Sequence, residues 1–514
     1  MTKNSFLLFW TLFGAIALIV VSLLPWRFQV NDDVVMMWLV SGAYTGTPES
    51  YAVFIHPLLS WSFAKLYTAY PIIYWYESVW FLSIYVSYIL LVFSISKTES
   101  HLYFKSLLAF FLLIVSVHFG IFPQFTLIAG FATFSASVVL INERLNAARW
   151  IALILLSFGI MIRWESSLLI ALGLVFYVIL QGKTKVKVSV VKKFSGVVLL
   201  FLSLIGSKIV YENTSPYSEF LKFNRLRAAV IDHPVFFQEI LEDKIPVNSE
   251  LYFFSRWFFE DGGISDTDLL EKKKELDSEL YSKDYLMSSL ARLWRLQRVE
   301  AFKSFLILGI FVFFFLSIRK TPALWFFLIA WMLFFLAFNH FFLIQGRVIF
   351  LFFLCLLFPL FRADYMKKNC LAVTLAFCLL VLALGYHISN FLEEAKGRAQ
   401  MDREFLSLTS RLEPSLPFLV EGYHEHNFGI RFSRSNPVPF ISTGWISRSQ
   451  FQQKALGRMN LSGFSAIQEF GLITTSLNTE IVFPDYMNHA FGTFIQTDSI
   501  RTSNFIFLRF KKRP

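Results

Sequence analysis

The sequence predicts an all-α, polytopic membrane domain of about eleven transmembrane helices, followed by a small C-terminal α/β domain. Three observations support this fold class. The 514 residues are 56% hydrophobic and only 16% charged, which is far from the composition of soluble globular proteins. Apolar runs long enough to cross a bilayer recur along the first three quarters of the chain. Lys and Arg are concentrated in the short loops between these runs, as topology signals are.

Several classes of function are excluded at this stage. The net charge of +11 does not indicate a nucleic-acid partner, because the basic residues are spread over short loops rather than gathered on one face. The three cysteines, Cys355, Cys370 and Cys378, lie in or beside apolar runs and show neither a disulfide framework nor a zinc-binding spacing. The sequence has no Walker motif and no Gly-x-Ser-x-Gly elbow, so coupling to nucleotide hydrolysis is not expected.

Eleven apolar segments are predicted as spans: Ser5–Pro25, Trp75–Ile95, Ser106–Phe122, Gln124–Ile141, Trp150–Ile162, Ser166–Gln181, Phe194–Val210, Phe302–Ile318, Ala323–Ile344, Val348–Phe361 and Leu371–Ile388. We interpret Tyr51–Tyr70 as interfacial or re-entrant, because it contains His56-Pro57 and Lys65. Residues 1–390 then form the transmembrane domain, with outer loops at 26–70 and 212–300. Residues 391–514 form the C-terminal domain, where short apolar pieces alternate with turns.

The positive-inside rule orients this layout. With an inside N-terminus, the basic loops fall on the cytoplasmic side, including the five-lysine loop that contains Lys183, Lys185 and Lys187. Both long polar regions, 212–300 and 390–514, then lie outside. Counting Tyr51–Tyr70 as a full span would place the five-lysine loop outside instead.

The first outer segment carries two adjacent carboxylates, Asp32 and Asp33, directly after the first span. They stand at the start of a predicted helix, where they either cap a surface helix or form a functional site. Both are expected to be near water. Four further residues are predicted to lie at the same outer edge: His56, Arg163 and Glu165 at a hairpin tip, and Arg347 at a tight turn.

Each of these arginines either snorkels to the interface or binds a ligand, and Arg163 can simply pair with Glu165. Arginine presents a planar fork that suits phosphate, and a carboxylate can accept the proton of an attacking hydroxyl. We expect Arg347 to hold a phosphate, with Gly346 leaving room for a bulky group.

The polar regions contain two candidate substrate ligands, and no metal site is assigned in them. Tyr217–Arg227 has aromatic and basic residues at helical spacing, which predicts either an amphipathic helix on the outer leaflet or a packing helix. Its basic residues Arg225 and Arg227 are candidate substrate ligands. Asp266–Arg298 is predicted as a solvated helix. Gly422–His426 contains two histidines without a third ligand at a familiar spacing, so no metal site is assigned there.

This layout resembles the C-superfamily of integral-membrane glycosyltransferases (GT-C), which includes protein O-mannosyltransferases, the aminoarabinose transferase of lipid A and mycobacterial arabinosyltransferases. The likeness rests on the acidic first outer loop, about eleven spans and an outer C-terminal domain. Its sequence motif is Asp32-Asp33, where the mannosyltransferases carry Asp-Glu. The stretch from Asn31 through Thr45-Gly46-Thr47-Pro48 to Trp75-Tyr76 also resembles a group of uncharacterised bacterial envelope proteins.

The resemblance implies transfer of a sugar from a polyprenyl-phosphate carrier to an envelope glycan, lipid or protein, at the outer face of a bacterial inner membrane. One aspartate would be the catalytic base. The other would orient it, bind a divalent cation, or raise its pKa by repulsion. Two alternatives are kept: a polysaccharide polymerase or ligase of the O-antigen type, and a transporter. A transporter would place charges near mid-bilayer and show an internal repeat, and the sequence has neither.

Overall fold

The computed structural model describes residues 2–142, 147–180, 188–317, 321–361 and 370–513. The described chain is mostly helical and carries one four-stranded sheet near its C-terminal end. The predicted fold class, a polytopic helical membrane domain with a small C-terminal α/β domain, is therefore confirmed.

The first 214 residues form the helices α1 (Lys3–Leu23), α2 (Asn31–Ser41), α3 (Pro57–Ala69), α4 (Trp75–Lys97), α5 (Leu102–Ile121), α6 (Phe125–Asn142), α7 (Ala147–Ile162), α8 (Trp164–Leu180) and α9 (Val188–Thr214). The polar region that follows is also helical. It contains α10 (Ser218–Ile231), α11 (Pro234–Leu241), α12 (Glu250–Ser255), α13 (Asp266–Glu279) and α14 (Lys283–Val299).

The chain then returns to apolar helices, which are α15 (Ala301–Ser317), α16 (Pro322–Phe341), α17 (Gly346–Leu354) and α18 (Cys370–Thr409). A 3-10 helix, Cys355–Phe361, continues α17 and contains Pro359. Proline lacks the N–H that an α-helix needs and its ring crowds the preceding turn, which accounts for the change of helix type.

Seven helices in the described chain are long and apolar enough to cross a membrane, and four shorter apolar helices accompany them. These helices lie on the eleven predicted spans. Helix α3, in the segment predicted as interfacial or re-entrant, has 13 residues. At about 1.5 Å per residue it is too short to cross a bilayer. The basic loop with Lys183, Lys185 and Lys187 lies outside the described residues, so sidedness stays a prediction.

The last predicted span and the charged helix predicted after it are one continuous helix. Helix α18 has 40 residues, so the predicted domain boundary at 390 falls inside it. Two contacts brace α18 against the end of α1: Arg27 pairs with Glu394 at 2.5 Å, and Arg398 donates to the Pro25 carbonyl at 2.6 Å. No proline interrupts the helix, which allows it to run on beyond the apolar part.

The C-terminal sheet has the strands β1 (Phe418–Glu421), β2 (Glu469–Thr475), β3 (Phe494–Arg501) and β4 (Phe505–Lys512), in the spatial order β1-β2-β4-β3. Strand β1 is parallel to β2, and the other two pairings are antiparallel. Two helices pack beside the sheet, α19 (Gln450–Arg458) and α20 (Phe483–Phe491). The Phe470 ring lies 5.0 Å from Phe510 and 5.3 Å from Phe483, which places an aromatic core between sheet and helix.

The sheet domain docks on the segment that follows α1. The Trp38 ring of α2 contacts Phe432 at 5.6 Å and Phe440 at 5.9 Å. Lys454 bonds both oxygens of the buried Glu49 carboxylate, at 2.8 and 2.9 Å. Helix α2 is thus held between the bundle and the sheet domain, and its first turn is fixed at the junction of the two.

Candidate functional site

A cavity of about 750 Å³ lies at this junction. We call it the central cavity. Its wall combines Asn31 and Asp32 of α2, residues 163–165 between α7 and α8, Lys208 and Glu212 of α9, Asn224, Arg225, Arg227 and Asp232 around α10, Gln345 and Arg347 at α17, and residues 419–425 and 440–445 of the C-terminal domain.

Six of the eight predicted site residues line this cavity: Asp32, Arg163, Glu165, Arg225, Arg227 and Arg347. The other two, Asp33 and His56, are not among the described residues that line it. The charges predicted at one depth are therefore gathered mainly in one place. Their roles in binding or catalysis stay predictions.

Asp33 is completely buried, and the expectation that it lies near water is wrong. The Tyr76 hydroxyl and the Trp80 indole N–H donate to its Oδ1, at 2.9 and 3.1 Å. The Phe125 N–H, at the start of α6, donates to its Oδ2 at 3.1 Å. Asp33 thus caps the N-terminus of a neighbouring helix and ties α2 to α4 and α6. Burial raises the pKa of Asp33 to about 7. The negative charge of Asp32 also raises this pKa, and the three hydrogen bonds lower it.

Asp32 points the other way, into the central cavity. No ion pair within 4.0 Å reaches its carboxylate from the described residues. It interacts electrostatically with Arg347, Arg227 and Asp232. Of the two adjacent aspartates, Asp32 is the one that a bound molecule can reach.

Arg347 lies at the first turn of α17 and lines the cavity. It has no ion pair within 4.0 Å in the described chain, although Asp32 and Arg163 are electrostatic neighbours. The prediction that Gly346 leaves room for a bulky group is wrong. A Cβ at Gly346 would meet Glu300 Oε2 at 1.5 Å, because the Glu300 carboxylate already fills that space. Glu300 is held there by Lys303 at 2.9 Å.

Arg163 pairs with Glu165 at 3.3 Å, as one of the two alternatives predicted, yet both side chains also line the cavity. The Arg163 guanidinium lies 5.1 Å from the Phe125 ring and 5.7 Å from the Phe54 ring. These aromatic faces orient the guanidinium without consuming its hydrogen-bond donors. Arg163 therefore keeps N–H groups for a ligand.

Arg227 is almost fully buried in the cavity wall. Its Nε and Nη2 donate to Asn224 Oδ1, at 2.9 and 2.7 Å, and its guanidinium lies 4.6 Å from the Trp257 ring. Its Nη1 has no hydrogen-bond partner in the described chain. Burial lowers the pKa of Arg227 to about 10, so the side chain remains charged at neutral pH.

Arg225 is half exposed and lies 3.9 Å from Glu212, which Lys208 also approaches at 3.6 Å. Helix α10 packs through buried Phe220, Leu221 and Phe223. This burial agrees with the predicted packing helix rather than with a helix lying on the leaflet.

Sequence reasoning missed Lys208, Glu212, Asp232 and Glu425 as cavity residues. A signal for the first three was available. Lys208 and Glu212 are four residues apart, and Asn224, Ala228 and Asp232 continue at the same spacing along α10. Glu425 gave no such signal, because only the docking of the C-terminal domain brings it beside Asn31 and Asp32.

Two of these carboxyls have a raised pKa. Burial raises the pKa of Asp232, with Asp32 adding to the effect and Arg227 and Arg347 opposing it. Burial also raises the pKa of Glu425, again with a contribution from Asp32. The acids that surround Asp32 are thus less readily charged than isolated carboxyls.

His56 has a structural position. Its Nδ1 accepts the Leu58 N–H at 3.1 Å and caps α3, so Nε2 carries the proton and donates to the Leu204 carbonyl at 3.0 Å. Helix α9 lies over the His56 ring, and the predicted role of His56 in substrate binding stays a prediction.

One group of three acids in the described chain brings ligand atoms within 4.8 Å of one another: Glu239, Glu275 and Glu279. Lys272 bonds two of them, at 3.1 and 3.0 Å, and supplies the compensating charge. None of the three lines the central cavity. His424 and Glu425 do line it, without forming a group of this kind.

A second cavity of about 310 Å³ adjoins the first, and Gln345 lines both. Its wall is mainly apolar, with Phe237 and Leu241 of α11, Leu296 and Val299 of α14, and Leu343 and Ile344 after α16. A charged cavity and a mainly apolar one therefore share one lining residue, Gln345.

The chain matches no protein-family model and no curated protein. Among solved structures it is similar to the crystal structure of ArnT from Cupriavidus metallidurans bound to undecaprenyl phosphate. The two chains are 12% identical, with a TM-score of 0.46, and the alignment covers 97% of this chain and 98% of that one.

Proposed function

We propose that this protein is a membrane glycosyltransferase that moves a sugar from a polyprenyl-phosphate carrier to a hydroxyl acceptor of the cell envelope. The observation that carries the proposal is the central cavity, where the Asp32 carboxylate, which has no ion pair among the described residues, shares one space with Arg163 and Arg347. The predicted topology supports a position of this cavity at the outer face of a bacterial inner membrane.

In this proposal Asp32 is the base. Its carboxylate accepts the proton of the acceptor hydroxyl while the hydroxyl oxygen forms a bond to C1 of the sugar. The bond from C1 to the phosphate oxygen breaks, and polyprenyl phosphate leaves with the electron pair. Arg163 and Arg347 compensate the phosphate charge in the transition state. Asp33 does not take part in proton transfer and instead fixes the first turn of α2 through its three hydrogen bonds.

The adjoining apolar cavity supports a lipid-linked donor. In such a donor the phosphate is a singly charged diester, and the hydrocarbon chain begins directly at it; the phosphate becomes a monoester when the sugar is transferred. Arg347 is two residues from Gln345, which lines both the charged and the apolar cavity. The head would lie with Arg347 and the first isoprene units with Leu343 and Ile344.

A transfer assay with Asp32→Asn tests the base. We expect sugar transfer from a polyprenyl-phosphate sugar to fall about a hundredfold or more, because the amide cannot accept the proton. Binding of polyprenyl phosphate should persist. Full transfer activity in Asp32→Asn would remove Asp32 from the mechanism. Product that grows by added sugar units would instead favour a polymerase.

The phosphate contact is tested by Arg347→Lys and Arg347→Ala. Losing a charged hydrogen bond costs about 1.5–3 kcal/mol, roughly ten- to a hundredfold in donor affinity. Lysine should not rescue binding, because it lacks the planar fork. Arg163→Lys is the comparison for the second guanidinium. Unchanged donor affinity in Arg347→Ala would leave Arg347 as an interfacial anchor.

A further inference from the structure

Two residues of the central cavity have a backbone that their side chains disfavour. Val53 has φ 59° and Trp257 has φ 69°. β-branched and bulky aromatic residues rarely adopt this left-handed conformation. The other four left-handed non-glycine residues in the described chain lie outside the cavity: Asp243, Asn248 and Asn460, which tolerate the conformation, and Arg448. Strain of this kind concentrates at ligand sites.

Trp257 occupies a position that normally selects glycine. It follows α12, and the Phe258 N–H bonds the Phe253 carbonyl at 3.0 Å, in the pattern that closes a helix C-terminus. Glycine would adopt φ 69° there without strain. The local backbone therefore gives no reason for tryptophan, and the reason must lie in what its indole contacts.

The indole lies between Arg227 and the C-terminal domain. The Arg227 guanidinium stands 4.6 Å from the ring. On the side of the C-terminal domain the neighbour is Gly444, where an added Cβ would lie only 3.7 Å from Trp257 Cε3. Gly444 brings no side chain over the ring, and Trp257 is only partly buried, so part of the indole is open to the cavity.

Two polar groups of the cavity wall, one of them Arg227 beside the ring and the other its electrostatic neighbour Asp232, lack partners in the described chain. Arg227 Nη1 is buried without a hydrogen-bond acceptor, on a side chain that is 3% exposed. The Asp232 carboxylate faces the cavity without an ion pair within 4.0 Å. One donor, one acceptor and a partly open aromatic ring thus line the same cavity, with Arg227 next to both the ring and Asp232.

We propose that Trp257, Arg227 and Asp232 form the subsite for the sugar ring of the donor, a deeper assignment that rests on the proposed function. The C–H face of a sugar ring is apolar and packs on indole, while its hydroxyls both donate and accept hydrogen bonds. Asp232 accepts from one hydroxyl, and Arg227 Nη1 donates to another.

The test compares lipids with and without a sugar. The full chain in lipid nanodiscs is titrated with farnesyl phosphate, and with farnesyl phosphate carrying glucose, mannose or arabinose. Wild type should bind at least one glycosylated lipid about tenfold more tightly than the bare lipid. Trp257→Gly should abolish that preference and leave affinity for farnesyl phosphate unchanged, because glycine suits the backbone.

Trp257→Phe retains a ring and should restore part of the preference. Asp232→Asn, nearly isosteric and facing the cavity, should also lose it. The matched control is Asn248→Gly, which places glycine at another left-handed position, φ 62°, on an exposed loop. It should behave as wild type does.

A wild-type protein that binds all four lipids equally would overturn the sugar subsite and leave the phosphate site standing. Equal losses for bare and glycosylated lipids in Trp257→Gly and Asp232→Asn would also overturn it, because both residues would then only shape the cavity. A wild type that binds none of the lipids would instead refute the proposed function itself.

Discussion

We expect the substitution Asp33→Asn to lower the stability of the fold, whereas Asp32→Asn should leave it nearly unchanged. Three donors converge on the Asp33 carboxylate: the Tyr76 hydroxyl, the Trp80 indole N–H and the Phe125 N–H. An asparagine in either orientation turns its NH₂ group toward at least one of the two N–H donors. One buried N–H is then left without an acceptor, which costs about 1–3 kcal/mol.

The pH dependence provides a second measure of the same site. The pKa of Asp33 is about 7 in the folded chain against 3.8 for the free side chain, so the folded state binds the proton more tightly. Its contribution to stability is therefore fully present below about pH 4 and is lost as the pH rises through about 7. The loss is of order 4 kcal/mol over this window. Asp33→Asn does not titrate and should lose this part of the pH dependence.

The assay is the apparent melting temperature in detergent micelles, measured from pH 5 to pH 8 for wild type, Asp33→Asn and Asp32→Asn. Asp33→Asn should melt below wild type at pH 5 and show a flatter pH profile. Asp32→Asn, which faces the cavity, should change the free energy of unfolding by no more than about 0.5 kcal/mol. An Asp33→Asn protein with the stability and pH profile of wild type would refute the burial and the hydrogen bonds described for Asp33.

Two further predictions concern packing and topology. Gly346→Ala should lower the apparent melting temperature, because its Cβ would collide with Glu300, and overpacking typically costs about 1–3 kcal/mol. The control is Gly206→Ala, which should not lower the melting temperature because no atom lies within 4 Å of its Cβ. Equal melting temperatures for wild type and Gly346→Ala would contradict the contact with Glu300. Reporter fusions at Gly182 and Pro514 should report the cytoplasmic and outer sides respectively, and a cytoplasmic Pro514 would place the C-terminal domain on the wrong side for the proposed function.

The spans were predictable because a bilayer imposes length and composition on a helix, and both can be read from sequence. The gathering of Asp32, Arg163 and Arg347 also followed, since charges at the ends of successive spans meet at one face. The burial and hydrogen bonding of Asp33 could not be predicted in this way. Its hydrogen-bond partners come from α4 and α6, some 43 to 92 residues further along the chain.

The surroundings of His56 and Gly346 were hidden for the same reason. His56 is covered by α9, and the space over Gly346 is filled by Glu300, so in each case a distant segment decides what a local pattern can do. The proposed sugar subsite around Trp257 could not be predicted from the sequence either. A tryptophan in a left-handed turn has no sequence signature, because the same residue types occur in ordinary helices.

The continuous helix α18 connects the membrane-spanning bundle rigidly to the C-terminal domain. Its 40 residues span roughly 60 Å, with the apolar half in the membrane and the charged half rising into the sheet domain. Because a helix of this kind is stiff, a tilt of roughly five degrees at mid-membrane would carry its upper end about 4 Å sideways. Residues 419–425 and 440–445 form part of the cavity wall and belong to the domain on that upper end. A tilt of α18 would therefore move one part of the cavity wall, so the thickness of the bilayer would bear on the width of the cavity.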